Sequence, residues 1–519
     1  MNIEIYLDAN ATSPVLPAAI GAAQVALRQC FGNPSSSHAA GLRARALLDD
    51  ARSRARRVLG AQEGRLIFTS GATEGIQTAM LSSLCALRER RAAGLPCGDL
   101  LLYGATEHKA VPESLAHWNA LLGTGLTLQA LPVDAGGRHR LDILRDLAPR
   151  AALLCTMAAN NETGIVSDLD GIAAVLEETG SAALWLVDCV QALGKLPLEL
   201  SKTRIDYAPF SGHKLYAPKG IGMLYVRDGA PYTPLLCGGG QEAGQRSGTE
   251  NMAGIAALDA VLRALEEGGT FRSHAQLLAM RERLATSLRA AFPGILFNAP
   301  FEHALPTTLN FTVPGRSGKA MLDLFDAAGI RVSAGSACSA AQAAPSYVLV
   351  AMGLPQERCA NAVRMSFGPL ADEAFIDAAC ARIERCGHAL LAQPPAACPV
   401  TGSGATPPAL APAMPAAAPC ELDAQELARF LDAHPNALLI DVREACEHAL
   451  GTPRLHGHAA YSLPLSRLPE HAAWLGRETR PLVFFCRSGN RSAQAARIAG
   501  ELGHATVRHL AGGLALMAS

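Results

Sequence analysis

The chain has 519 residues, 49% of them hydrophobic and 18% charged, with a formal net charge of −1. At about 150 residues per domain this length predicts about three units, and scattered basic residues exclude a polyanion-binding surface, so no direct nucleic-acid partner is expected. No apolar run reaches the ~20 residues of a membrane span. The opening MNIEIYLDAN carries an early acidic residue and no basic n-region, and the cysteines follow no compact spacing framework, so the sequence predicts a cytoplasmic protein with mostly buried thiols.

Taken in chain order, strand-sized apolar runs occur at RLIFTS (65–70), DLLLYG (99–104), AALLCTMAA (151–159), ALWLVDC (183–189) and IGMLYV (221–226). Helical patterns follow at 72–93, 108–122 and 167–179. Continuous apolar strands separated by helices predict an α/β unit with a mostly parallel sheet covered on both faces. Sites in such sheets lie at the carboxyl ends of the strands.

Those ends carry chemistry-bearing residues. SGATEG (70–75) opens a helix with small residues and a hydroxyl, a phosphate seat formed around Ala72 and Thr73; many strand-to-helix turns are glycine-rich simply to turn. Asp188 ends the run ALWLVDC, where a helix cap is the commoner role for a lone aspartate. DYAPFSGHKLYAPKG (206–220) places Lys214 beside Ser211 and His213. Lysine is scarce in this chain, and an amine kept among arginines is a candidate for Schiff-base chemistry, since arginine cannot lose its proton for that task; an exposed turn lysine is the ordinary alternative. His108 in TEHKAV is placed to stack on a ring and move protons, unless it is a core histidine. A phosphate seat, an aspartate for a ring nitrogen and a lysine for an aldehyde are the three handles of pyridoxal phosphate. No metal is expected.

The stretch AQPPAACPVTGSGATPPALAPAMPAAAPC (392–420) has no charge and no period, which predicts a disordered linker between a first region, 1–391, and a second, 421–519. In the second region NALLIDVREACEH (436–448) reads as a buried strand ending in Asp441, Arg443 and Glu444. LVFFCRSGNRSAQAARIAGELG (482–503) delivers Cys486 into a turn of Arg487, Ser488, Gly489 and Asn490, followed by Arg491 and a helix. Such a turn directs N–H groups and a helix N-terminus at one thiol and favours its anion.

From about 3 to 390 the chain resembles a cysteine desulfurase of the fold-type I, class V aminotransferase group, which implies a mixed, mostly parallel sheet between helix layers with a small α+β domain, ahead of a rhodanese-like α/β domain. The resemblance rests on YLDANATSPV, FGNPSSSH, FTSGATEG, TEHKAV, NNETG, LVDCVQALGK, SGHKLYAPKG, GGGQEAGQRSGTEN, SAGSACS and VRMSFG, in the family's order. It implies pyridoxal 5′-phosphate on Lys214, with Asp188 at the ring nitrogen, His108 on the ring, and Asn161 and Gln191 at the ring oxygen. Thr73, Ser211 and His213 would bind the phosphate, and Thr249 of RSGTEN would reach the phosphate of a neighbouring subunit, so a homodimer is implied. Arg364 would clamp the carboxylate of L-cysteine, with Asn161 also at the substrate, and Cys338 would accept the sulfur as a persulfide, releasing alanine. The motif DANATS departs from the family by carrying Ser13 where a threonine is usual, and the Cys338 loop is alanine-rich.

Residues 421–519 resemble a single rhodanese domain with Cys486 as its persulfide-forming cysteine. Four residues separate Cys486 from Arg491, one fewer than in phosphatases of related shape. The segment GTPRLHGHAAYSLPL (451–465) is longer than usual and the ending GGLALMAS lacks the usual tryptophan. The resemblances together imply a relay from Cys338 to Cys486 across a linker of ~30 Å reach. The acceptors would be proteins such as an iron–sulfur scaffold or a thiolation enzyme. A selenocysteine lyase on the same scaffold, and a second domain that only docks acceptors, remain open at this level.

Overall fold

The computed structural model describes residues 4–334, 344–391 and 420–517. Cys338 and the expected linker up to residue 419 lie outside the described residues. Cys420, expected at the linker's end, opens a strand and pairs with Arg508.

The first unit is built on a seven-stranded sheet. Its strands are β2 (Arg65–Thr69), β3 (Leu100–Gly104), β4 (Thr127–Leu131), β5 (Ala151–Met157), β6 (Leu184–Asp188), β7 (Tyr207–Ser211) and β8 (Gly222–Val226), in the order β2-β8-β7-β6-β5-β3-β4. Every residue of β5 is buried, as a central strand covered on both faces requires. Alternation assigns the faces: Leu66 and Phe68 of β2 join one core with Trp185 and Val187, while Ile67 joins the opposite core with Leu101, Leu153 and Leu186. The five apolar runs and three helical patterns all take their expected type, the helices spanning Ala72–Ala92, Ala110–Leu122 and Leu169–Glu178. One strand was not legible: β4 is a partly exposed edge strand, so its sequence TLQAL lacks a continuous apolar run. β8 inserts antiparallel between β2 and β7, so the sheet is mixed and mostly parallel, as the family resemblance implies.

A smaller unit carries an antiparallel sheet of β9 (Leu296–Phe297), β10 (Thr308–Thr312), β12 (Ser333–Ala334) and β13 (Val363–Ser366), ordered β12-β13-β10-β9. Helices Gly318–Ala327 and Glu373–Leu391 share its core with His274–Ala291. The start of the chain is stitched into this unit: β1 (Ile5–Tyr6) pairs with β11 (Ile330–Arg331), and the Ala9 N–H donates to the Ser366 carbonyl at 3.0 Å.

The last unit is a five-stranded, all-parallel sheet of β14 (Cys420–Leu422), β15 (Leu438–Asp441), β16 (Ala460–Ser462), β17 (Leu482–Phe485) and β18 (Val507–Leu510), ordered β14-β18-β17-β15-β16. Alternate residues of β17 feed separate cores, Leu482 and Phe484 on one face, Val483 and Phe485 on the other. The short helix Ala445–Ala449 lies against Glu373–Leu391 and Gly318–Ala327, and Cys446 and Leu450 pack on the small unit's core.

Candidate active site

The carboxyl ends of β2, β5, β6 and β7 open into one cleft of about 470 Å³. Ala72, Thr73, His108, Asn161, Asp188, Gln191, Ser211, His213, Lys214 and Arg364 all line it, as the resemblance expects of one site. Thr249 does not line this cleft and is exposed.

Each side chain reaches the cleft from a strand end. Asp188 is the last residue of β6, is buried, and accepts the Val190 N–H at 2.9 Å. Burial raises its carboxyl, opposed by that N–H and by the positive fields of His108 and Lys214. His108 follows β3 and is lowered by burial, reinforced by Lys214 and Lys109 and partly countered by Asp188. His213 is pushed down to about 4 by burial and then by Lys214 and Lys219. Lys214 stands one turn past β7 and its Nζ donates to the carbonyls of Asn10 at 2.7 Å and Ala11 at 2.8 Å.

The departure at Ser13 is compensated locally. Its hydroxyl donates to the His213 carbonyl at 3.0 Å and accepts the Tyr216 N–H at 2.6 Å, so serine pins the Lys214 turn without a threonine methyl.

Several residues at this site carried no assigned role in the sequence, although most lie inside the quoted motifs. Asn10 is a hub: its carbonyl also accepts Gln191 Nε2 at 3.2 Å, its Oδ1 accepts Lys195 Nζ at 3.2 Å, and its Nδ2 donates to Thr308 Oγ1 at 2.9 Å. Lys195 donates to Gln191 Oε1 at 2.7 Å, and burial, then Lys214 and Arg364, pull it down to about 7. Asp8 accepts Arg364 Nη2 at 2.6 Å, while Arg364 Nη1 donates to the Asn161 carbonyl at 3.0 Å. Glu162 accepts the Ser346 hydroxyl at 2.6 Å and is pushed up to about 7 by burial, against that hydroxyl and the Arg364 and Lys109 charges. Tyr347 lines the cleft and its hydroxyl donates to the Glu107 carbonyl at 2.8 Å.

Arg364 Nε and Asn161 Oδ1 are buried polar atoms with no hydrogen-bond partner among the described residues. Such groups are costly unless something else satisfies them. An unspent guanidinium donor, an amide oxygen, a buried strand-end carboxylate and a lysine in one cleft fit pyridoxal phosphate together with an amino-acid carboxylate.

In the last unit, Cys486 follows β17 and is fully buried. The Gly489 N–H donates to its Sγ at 3.2 Å, and its S–H donates to Ser492 Oγ at 3.6 Å. Gly489 has φ +91°, and a Cβ there would come within 2.9 Å of the Gly512 nitrogen, so glycine is needed to turn its N–H onto the sulfur. The C-terminal turn closes on the loop from outside, with the Leu514 N–H donating to the Cys486 carbonyl and the Ala515 N–H to the Arg487 carbonyl, both at 2.9 Å. Both loop arginines are held by carboxylates. Arg487 pairs with Asp323 at 3.1 Å and Asp326 at 2.8 Å, and Arg491 with Glu447 at 2.5 Å.

The fold and cleft define a pyridoxal-phosphate-type transferase of fold type I, followed by a rhodanese-like unit. The aminotransferase class-V family model matches residues 5–378, and the rhodanese-like domain model matches 423–518. A cysteine desulfurase of Gluconacetobacter diazotrophicus is 39% identical over 375 residues, covering 72% of this chain and 90% of the relative. Among solved structures, a NifS-like protein superposes with a TM-score of 0.65 at 32% identity, covering 74% of this chain and 98% of its own. SspA, solved in complex with cysteine, gives 0.60 at 28% identity, covering 71% of this chain and all of its own. The chain belongs to the class-V aminotransferase family, among its pyridoxal-phosphate-dependent cysteine desulfurases, and carries a C-terminal rhodanese-like domain. No helix among the described residues is long and apolar enough to cross a membrane.

Proposed function

We propose that the chain converts L-cysteine to L-alanine, leaves the sulfur as a persulfide on Cys338, and passes it to Cys486. When bound, pyridoxal phosphate supplies the electron sink that weakens bonds at the substrate α-carbon. Lys214 would hold its aldehyde and move the α-proton. Asp188 would pair with the ring N–H, His108 would stack on the ring, and Asn161 and Gln191 would meet the ring oxygen. Ala72, Thr73, Ser211 and His213 would seat the phosphate. Arg364 would bind the substrate carboxylate through its unspent Nε. The Cys338 thiolate then takes the substrate sulfur, forming one S–S bond as the carbon–sulfur bond breaks.

One observation carries the relay. Cys338 belongs to the stretch between Ala334, on β12, and Ser346, anchored at the cleft through Glu162. Helix Gly318–Ala327 packs on β12, and its Asp323 pairs with Arg487 of the Cys486 loop. The strand that leads toward Cys338 therefore packs on the same helix that holds Arg487, which supports a relay between the two thiols. A docking module alone needs no thiol cradle such as the one around Cys486.

Mass spectrometry after incubation with labelled cysteine tests this. Extra sulfur is expected on both Cys338 and Cys486 in wild type, on Cys338 alone in Cys486→Ala, and on neither in Cys338→Ala. A bare Cys486 beside a loaded Cys338 would show two domains that share a chain and no pathway.

We further propose a cytoplasmic homodimer, divided at 391 and 421, that supplies sulfur to acceptor proteins such as an iron–sulfur scaffold or a thiolation enzyme. Thr249, exposed and outside its own cleft, would cap the partner's phosphate. Mixing inactive Lys214→Ala with an inactive Thr249→Val protein should restore partial activity on subunit exchange. Verified exchange without rescue would return Thr249 to its own subunit.

A further inference from the structure

Of the two arginines that frame the Cys486 loop, Arg487 is neutralised from outside the rhodanese-like unit, while Arg491 is held mainly from within it by Glu447. Arg487 makes two ion pairs, with Asp323 and Asp326, both on helix Gly318–Ala327 of the small unit. Arg491 is held by Glu447 through both nitrogens, at 2.5 and 3.0 Å, and lies 3.6 Å from Asp323. Lys319 and Arg331 also pair with Asp323 and Asp326, so the two carboxylates on Arg487 are shared with cations of the small unit. Asp323 is only 7% exposed. Burial alone would raise its carboxyl, and the Lys319, Arg491 and Arg487 charges outweigh that and hold it below the usual range. A buried carboxylate bonded to three cations from two units is a specific junction, unlike a solvated surface pair of small value.

We propose that Asp323 and Asp326 determine which sulfur donor the rhodanese-like site accepts, by occupying the Arg487 guanidinium and so disfavouring anionic free donors relative to the chain's own persulfide. This rests on the reading of Cys486 as a sulfur carrier. A doubly charged donor such as thiosulfate is drawn by a free cation in the loop, and here it meets Arg487 already paired with two carboxylates of the donor's own sign. A tethered persulfide needs no such attraction, since the chain supplies its effective concentration. The transfer is the same in either case: the Cys486 thiolate attacks the donor's outer sulfur, one S–S bond forms and one breaks. Sulfite leaves from thiosulfate, and the donor cysteine thiolate leaves from a persulfide. No outside oxidant or reductant enters.

The test compares full-length wild type, Asp326→Asn and Asp323→Asn/Asp326→Asn, each carrying pyridoxal phosphate. The first readout is the rate of Cys486 alkylation by anionic iodoacetate divided by that by neutral iodoacetamide, followed by peptide mass spectrometry. The second is thiosulfate-to-cyanide sulfur transfer. The double variant should raise both by about tenfold, and Asp326→Asn, which spares the buried Asp323, by less. Alanine formation from cysteine should stay unchanged, which checks the fold. Equal ratios and equal thiosulfate activity in all three proteins, with Cys486 still loaded from thiosulfate, would overturn the proposal and leave the sulfur-carrier reading intact. If Cys486 takes sulfur from neither cysteine nor thiosulfate in any of them, the carrier reading fails and the proposal with it.

Discussion

Lys214→Ala is expected to lose alanine formation from L-cysteine by about 10³-fold or more, the scale of removing a positioned proton-transfer group, with loss of the covalent hold on the cofactor added. The geometry makes the choice of lysine a sharp one. Lys195 lies close by, is drawn down to about 7, and could itself act as an amine nucleophile on pKa grounds. Its Nζ, however, is spent on Gln191 and Asn10, and it does not line the cleft. Lys214 lines the cleft just past the end of β7, with its Nζ donating to two backbone carbonyls. Borohydride treatment of the wild-type holoenzyme followed by peptide mapping should therefore find the cofactor on Lys214 alone. Label on Lys195, Lys109 or Lys219 would move the site. Lys195→Ala should retain cofactor binding and lose activity more modestly, through a slackened Gln191.

Arg364→Ala should raise KM for cysteine by about 10²-fold, the scale of truncating a buried, hydrogen-bonded charge, ~3 kcal/mol. Arg364 is 1% exposed and sits on β13, where its guanidinium is shared between Asp8 and the Asn161 carbonyl with Nε left over. Removing it deletes the carboxylate clamp and strands Asp8 beside an emptied site, so a lower Tm should accompany the KM change. Arg364→Lys separates the two effects. The ammonium keeps a charge for Asp8 and restores most of the Tm, but it lacks the planar fork and should leave KM high. A wild-type KM in Arg364→Lys would show that the substrate carboxylate is bound elsewhere.

What the sequence determined by itself follows from what local patterns encode. A run such as AALLCTM is apolar at every position because both faces of β5 are covered, and that is visible in seven consecutive residues. The residues at strand ends, Asp188, Ser211 and Lys214, follow directly from where those runs stop. Cys486 and its loop were legible for the same reason, as a strand, a turn and a helix in succession. The edge strand β4 was not, since an edge needs no continuous burial, and the mixed sheet came through the family resemblance alone, because the orientation of β8 depends on its partner strands and leaves no mark on periodicity. The tertiary structure alone brought residue 10 to residues 161, 191, 214 and 308, gave Arg364 its carboxylate from Asp8, and set Asp323 on Arg487. These contacts join positions up to 356 residues apart. Polar residues that meet only after the chain has closed have no period to announce them, because their partners are chosen by how the strands stack and return.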